Sequence, residues 1–252
     1  MKRLSFLMIM ALLAFGLAFG EEKKEGNAEK DSKKSEEKQK EANAKEEGEP
    51  EEGKKEEKKP DKRTKKEIME DLEKHLSEIE TVQARFVQEK HLAMFERKMT
   101  IEGHLAVANP NQVAWHVQKP VRYRMVICGP KLKQWEEDTN EVKTLRLDKN
   151  ATHKVAFEQL TAWFAGRYGD LRERYNVEVM DRDPLTLTFT PKEGGDMESI
   201  IKSVRVVFRD NEDYLKKIKI TQGNDDVTIV RFFDLQLNEK VDEEVWRVRP
   251  DE

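Results

Sequence analysis

Two runs of alternating residues, broken only at Asn109-Pro110-Asn111, constrain this chain more than any other feature. Met99, Ile101, Gly103, Leu105 and Val107 share one parity in the first run, and Val113, Trp115 and Val117 continue it in the second. A period of two belongs to a β-strand with one apolar face, and a proline between asparagines turns such a strand back on itself. Folding about Pro110 sets Leu105 opposite Trp115 on the apolar surface and His104 opposite His116 on the polar one. A tryptophan at that place gives the sheet a large apolar body on its inner side.

The alternation recurs on both sides of this hairpin. Before it, Val82, Ala84 and Phe86 alternate with Gln83, Arg85 and Val87. After it come strands over 121–127, around Trp135 and over 142–147, joined by turns at Gly129-Pro130 and at 137–140. Further strands are expected over 175–180, 185–189, 200–208, 214–221 and 227–237, with a last short one around Val245, Trp246 and Val248. Two segments carry helical spacing instead. One opens at about Lys65 with Ile68, Leu72, Leu76 and Ile79; the other covers 152–165 with Phe157, Leu160, Trp163 and Phe164, capped by Gly166. About ten antiparallel strands in one sheet curl, the concave face needs a cover, and two helices are available to provide it. The expectation is a mainly β fold with an apolar interior and an apolar ligand.

The rest of the sequence bounds where such a fold works. Residues 1–20 have a basic start (Lys2, Arg3), an apolar run from Leu4 to Phe19 and small residues at the end, the pattern of a cleavable secretory signal peptide. An uncleaved inner-membrane anchor is the competing reading, although the run is short for a span. From Glu21 to Lys66 there are 16 acidic and 16 basic residues and no aromatic residue. Such a segment cannot offset its ordering entropy by burial, so a disordered Lys/Glu-rich linker is expected over 21–64. The folded part is expected over 65–252. From Glu67 onward 29 basic residues face 35 acidic ones, with both signs interspersed, which disfavours nucleic acid as a partner. Cys128 is the single cysteine, so no intramolecular disulfide forms. No glycine-rich phosphate loop, nucleophile elbow or zinc-protease motif is present. His104 and His116 lack a third ligand and read as two surface histidines, and Glu136-Glu137-Asp138 reads as a solvated turn. Neither a catalytic set, a metal site nor a cofactor is expected.

Several motifs, in order and at matching spacing, resemble the periplasmic outer-membrane lipoprotein carrier family (LolA). After the opening helix, Phe86 and Gln88 resemble the family's F-x-Q element. Gly103-His104-Leu105, then Pro110-Asn111, then Trp115-His116 resemble its G-x-L, proline and tryptophan pattern, closed by Gln118-Lys119-Pro120. Trp135, Tyr175-Asn176-Val177, Thr190-Pro191-Lys192 and Val241-Asp242-Glu243 with Trp246 are similar to later elements. The resemblance covers about residues 66–250. It implies a single curved antiparallel sheet forming an incomplete barrel of about 10–11 strands, with a helical lid and an apolar cavity. It also implies a monomeric periplasmic carrier whose cargo is an acylated lipoprotein or another lipid. An ATP-driven inner-membrane transporter would load that cargo and an outer-membrane acceptor would take it.

On this basis Phe86, Met99, Ile101, Leu105, Val107, Val113, Trp115, Val117, Met125, Leu160, Trp163, Phe164 and Phe189 are expected to line the lipid site. A charge at Trp115 or Phe86 is expected to abolish lipid binding. The family places an arginine before the proline of the tryptophan hairpin, where it latches the lid; here that residue is Asn109, which has less reach and fewer donors. The alternative reading is a lipid-sensing regulatory module of the same fold in the cell envelope.

Overall fold

The computed structural model describes residues 61–93, 98–149, 162–164, 166–195 and 197–250. The expected signal peptide over 1–20, most of the linker over 21–64 and most of the helix over 152–165 lie outside the described residues.

Helix α1 (Lys65–Ser77) starts where the sequence supplies a capping box. Thr64 Oγ1 accepts from the Glu67 amide at 3.3 Å, and the Glu67 carboxylate accepts from the Thr64 amide at 2.6 Å. Two otherwise orphaned donors are satisfied reciprocally. Ile68, Met69, Leu72 and Leu76 form its stripe, and all four are buried. Ile79 follows on the same side and is also buried.

Eleven strands follow: β1 (Thr81–His91), β2 (Lys98–Ala108), β3 (Gln112–Lys119), β4 (Tyr123–Cys128), β5 (Lys131–Glu136), β6 (Val142–Arg146), β7 (Tyr175–Arg182), β8 (Leu185–Pro191), β9 (Ile201–Phe208), β10 (Leu215–Gln222) and β11 (Val227–Leu237). Between β6 and β7 lie a helical turn at residues 162–164 and the short helix α2 (Tyr168–Leu171). The strands make one antiparallel sheet in the order β6-β5-β4-β3-β2-β1-β11-β10-β9-β8-β7. Every neighbour pair is a sequential hairpin except β1 with β11, which joins the two halves of the sheet. β6 and β7 are its free edges, so the sheet is not closed; eleven strands with the usual twist curl into an incomplete barrel. The β2–β3 register is the one the asparagine-proline turn dictates, with Leu105 opposite Trp115 and His104 opposite His116.

The chain ends differently from expectation. The segment around Val245 and Trp246 is no strand but a 3-10 turn, Glu243–Trp246. It belongs to a strap that crosses the outer face of the sheet. The Lys240 carbonyl accepts from Gln83 Nε2 at 3.4 Å, the Arg247 carbonyl accepts from Arg124 Nη1 at 3.4 Å, and Arg249 donates to the Asn140 carbonyl at 3.1 Å. Val248 of the strap packs on Ala106, Ala114, Val126 and Trp135 of the sheet, and together they form a small second core. The strap's apolar residues follow contact with the sheet rather than a period of two, which is why alternation misreads them.

Candidate functional site on the concave face

The inner face of the sheet is mainly apolar, and its apolar residues form one cluster with α1, α2 and the 162–164 turn. The inward parity of β1 to β4 supplies Phe86, Ile101, Leu105, Val107, Val113, Trp115, Val117 and Met125, and each is buried. Phe189 joins them from β8, and Trp163 and Phe164 from the covering turn. Met99 sits at the strand end and is half-buried. Leu160 lies outside the described residues.

An aromatic column runs through the middle of this face. Phe86 and Trp115 stack with ring centroids 3.8 Å apart and planes at 25°. Phe164 leans on Trp115 at 5.7 Å and meets Phe232 edge-on at 6.2 Å. Beside it Trp163 meets Phe189 at 4.7 Å and Tyr175 at 5.9 Å, both edge-on. The cover is tied down at few polar points. Tyr214 donates its hydroxyl to the Phe164 carbonyl at 2.6 Å inside the core. Gly166 has φ +70°, and a Cβ there would stand 2.6 Å from the Leu76 Cβ, so glycine lets the turn close onto α1.

Asn109 makes the third tie. Its Nδ2 donates to the Ile79 carbonyl at 2.5 Å and its backbone amide donates to the Glu80 carbonyl at 2.8 Å. The tryptophan hairpin is thereby fastened to the chain leaving α1. Asn109→Ala removes a side-chain hydrogen bond in a half-buried site and is expected to cost about 1–2 kcal/mol. Urea denaturation of the two proteins measures it; an unchanged midpoint would mean that the backbone bond alone holds the junction.

Sequence reasoning missed half of the wall and all of its polar content. Val204, Val206, Ile218, Ile220, Val230 and Phe232 line the same face from β9 to β11. Gln88, Lys90 and Thr228 also lie on it, at 1%, 7% and 0% exposure. The alternation Phe86, Gln88, Lys90 carries that signal, since every second residue of β1 faces inward.

The outer face departs from expectation at the histidines. His104 is exposed, but His116 is half-buried, and its Nε2 is out of solvent with no hydrogen-bond partner among the described residues. It lines a groove of about 630 Å³ between the strap and the sheet, with Arg85, His104, Arg122, Arg124, Asp234 and Val245. Burial first, then the Arg124 guanidinium on β4 and His104 on β2, push the His116 pKa down to about 4. The unfolded chain therefore binds the extra proton between an ordinary pKa near 6.5 and about 4. The neutral imidazole's contribution is complete above the ordinary value and is lost as pH falls through that window. Screening at a partly exposed ring limits the loss to about 1–2 kcal/mol. Denaturation at pH 7.5 and pH 4.5 should show it in the natural protein and a shallower fall in His116→Gln; parallel falls would place the proton elsewhere.

Residues 77–249 match the family described as outer membrane lipoprotein carrier protein LolA. An outer-membrane lipoprotein carrier protein of Halorhodospira halophila is 29% identical over 187 residues, 73% of this chain and 82% of that protein. One from Chromohalobacter salexigens is 26% identical over 148 residues, 58% of this chain and 66% of the relative, so the match there spans slightly less than two thirds of the relative's length. Among solved structures, a LolA superfamily protein from Nitrosomonas europaea superposes with a TM-score of 0.38 at 10% identity, over 70% of this chain and 96% of that one. The family match covers well over half of the sequence and the whole described sheet, and the chain belongs to the outer membrane lipoprotein carrier protein (LolA) family.

Proposed function

We propose that this protein is a periplasmic carrier that takes up the acyl chains of a lipoprotein, or of another lipid, on the concave face of its sheet and moves them from the inner to the outer membrane. The observation that carries this reading is the long, mainly apolar inner face, covered among the described residues by α1, α2 and the short turn at residues 162–164. Three acyl chains of about 45 methylenes in water cost on the order of 35 kcal/mol at about 0.8 kcal/mol per methylene. Free diffusion across an aqueous space is ruled out at that cost, and an apolar concavity removes most of it. Transfer from bilayer to carrier is then near neutral, so loading draws on an inner-membrane ATP-driven transporter and unloading on an outer-membrane acceptor. The protein's own aromatic column packs within the concavity. Loading then requires Trp163 and Phe164 to move aside, with the ties at Asn109 and Tyr214 acting as the latch. No catalytic step belongs to this role, and among the described residues no helix is long and apolar enough to cross a membrane.

Native mass spectrometry of the exported protein, purified without detergent, tests the reading. The expected result is a mass increment that extracts as acyl lipid or acylated peptide. A lipid-free mass together with no uptake from spheroplasts would overturn it.

A further inference from the structure

The outer face of the second half of the sheet gathers positive charge that is scattered along the sequence. In β9 and β10 the inward residues Val204, Val206, Ile218 and Ile220 are buried. Arg205, between the first two, and Lys219, between the second two, therefore point outward. Arg205 pairs directly with Lys219, and Lys217 pairs directly with Arg231 on β11. Four cations thus form a block about 10 Å across three strands and about 7 Å along them. They do so in a chain with more acidic than basic residues.

Sheet stability does not explain the block, because like charges directly opposite each other destabilise a strand pair. Arg231 has a counter-ion, Glu89 on β1, at 2.7 Å. Arg205, Lys217 and Lys219 make no side-chain hydrogen bond or ion pair among the described residues. The carboxylates of the adjoining turns are already engaged: Glu212 with Arg63 at 2.7 Å, Asp213 with Arg209 at 3.5 Å, and Asp225 with Lys202. Glu178 stands in the same row as Arg205 but beyond Thr188, two strands and about 10 Å away. Arg205 is exposed and the two lysines are half-buried, as expected for stems laid on the sheet with head groups in water.

We infer that this block is a docking surface for an extended acidic segment of a partner protein. In an extended chain every second side chain points the same way and repeats at about 7 Å, the separation of Lys217 and Lys219. Carboxylates at alternate positions therefore meet both lysines, with Arg205 and Arg231 flanking them on the neighbouring strands. A bilayer fits this face less well. The outside of a curled sheet is convex, and the outward residues of β8 to β10 offer no aromatic or exposed large apolar side chain to enter lipid. The block lies on the opposite side of the strands from Val204, Val206, Ile218 and Ile220, so a docked partner leaves the concave face open.

Fluorescence anisotropy of the full chain tests it with a labelled peptide of alternating glutamate and threonine and with the counterpart carrying glutamine for glutamate. Co-sedimentation with phosphatidylglycerol vesicles provides the membrane arm. The wild type should bind the acidic peptide in spite of its own net charge of −4. It should bind the glutamine peptide about tenfold more weakly or worse. Lys217→Gln combined with Lys219→Gln should weaken the acidic peptide about tenfold, the loss of two surface ion pairs. Removing the same two charges from exposed sites on β5, with Lys131→Gln and Lys133→Gln, should leave affinity within about twofold, since distant charges are screened. All four lysines face solvent at least in part, and circular dichroism checks that both variants fold. No binding of the acidic peptide by the wild type, equal binding of the glutamine peptide, or equal losses in the two double variants overturns the docking surface. Vesicle binding with none to the peptide also overturns it and makes the face a membrane contact. Each of these results leaves the carrier reading to its own test.

Discussion

Trp115→Ala is expected to lower the unfolding free energy by about 3–5 kcal/mol, the usual cost of deleting a large aromatic from a packed core. Trp115 is 3% exposed and is held between Phe86, 3.8 Å away centroid to centroid, and Phe164 at 5.7 Å. Removing the indole opens a void that two aromatic rings and the covering turn all border, so relaxation is only partial. For a folded unit of this size the midpoint of thermal unfolding should fall by roughly 10–15 °C. Calorimetry measures it directly, and a drop below about 1 kcal/mol would show that the column is loosely packed. Trp115→Glu, attractive from the sequence as a way to abolish lipid binding, is now expected to cost at least as much. The carboxylate has no donor among the rings it would face, and an unpaired buried charge is expensive. Lipid uptake is therefore better tested with Trp115→Phe, which keeps the stack, beside Trp115→Ala, which removes it. Under the proposed function only the alanine variant should lose uptake.

Gly103→Ala should be nearly as damaging. Gly103 sits at an irregularity where the β2–β3 register shifts between Glu102 and Gly103. A Cβ there would stand 2.1 Å from the His116 carbonyl oxygen and 2.7 Å from Phe86 Cζ. The first obstacle is backbone, which a rotamer change cannot relieve, and the second is the ring stacked on Trp115. A strand glycine of this kind marks close backbone approach. The expected penalty is about 3 kcal/mol, at the upper end for overpacking. Hydrogen exchange should show it as early opening of the β2–β3 amides; unchanged protection there would mean that the neighbouring strands shift to accommodate the methyl. Because Phe86 lies over Gly103, the same substitution should disturb the aromatic column and with it lipid uptake.

Much of the concave face was legible in the chain because the signals are local. A period of two declares which side chains share a face, whatever the strand later pairs with, and Asn109-Pro110-Asn111 sets the β2–β3 register through the turn itself. Thr64 and Glu67 mark the start of α1 for the same reason: a capping box is made within four residues. From these alone follow a mainly β architecture, the inward set from Phe86 to Met125 and the cover by α1.

What only the tertiary structure decided depends on contacts between distant segments. The pairing of β1 with β11 joins residues about 150 apart, and it alone brings Lys90 to Thr228 and completes the inner wall with Val230 and Phe232. The strap from Lys240 to Arg249 has no periodicity that would announce its path; its apolar residues face the sheet because Trp135 and Val126 happen to lie beneath them. His116 is half-buried for that reason, although alternation puts it on the polar side. Asn109 shows both levels at once. Its place before Pro110 is sequence, but the donor to Ile79 exists only because α1 ends where that hairpin turns. Local pattern determines which face a residue takes, and the long-range closure of the sheet determines what that face meets.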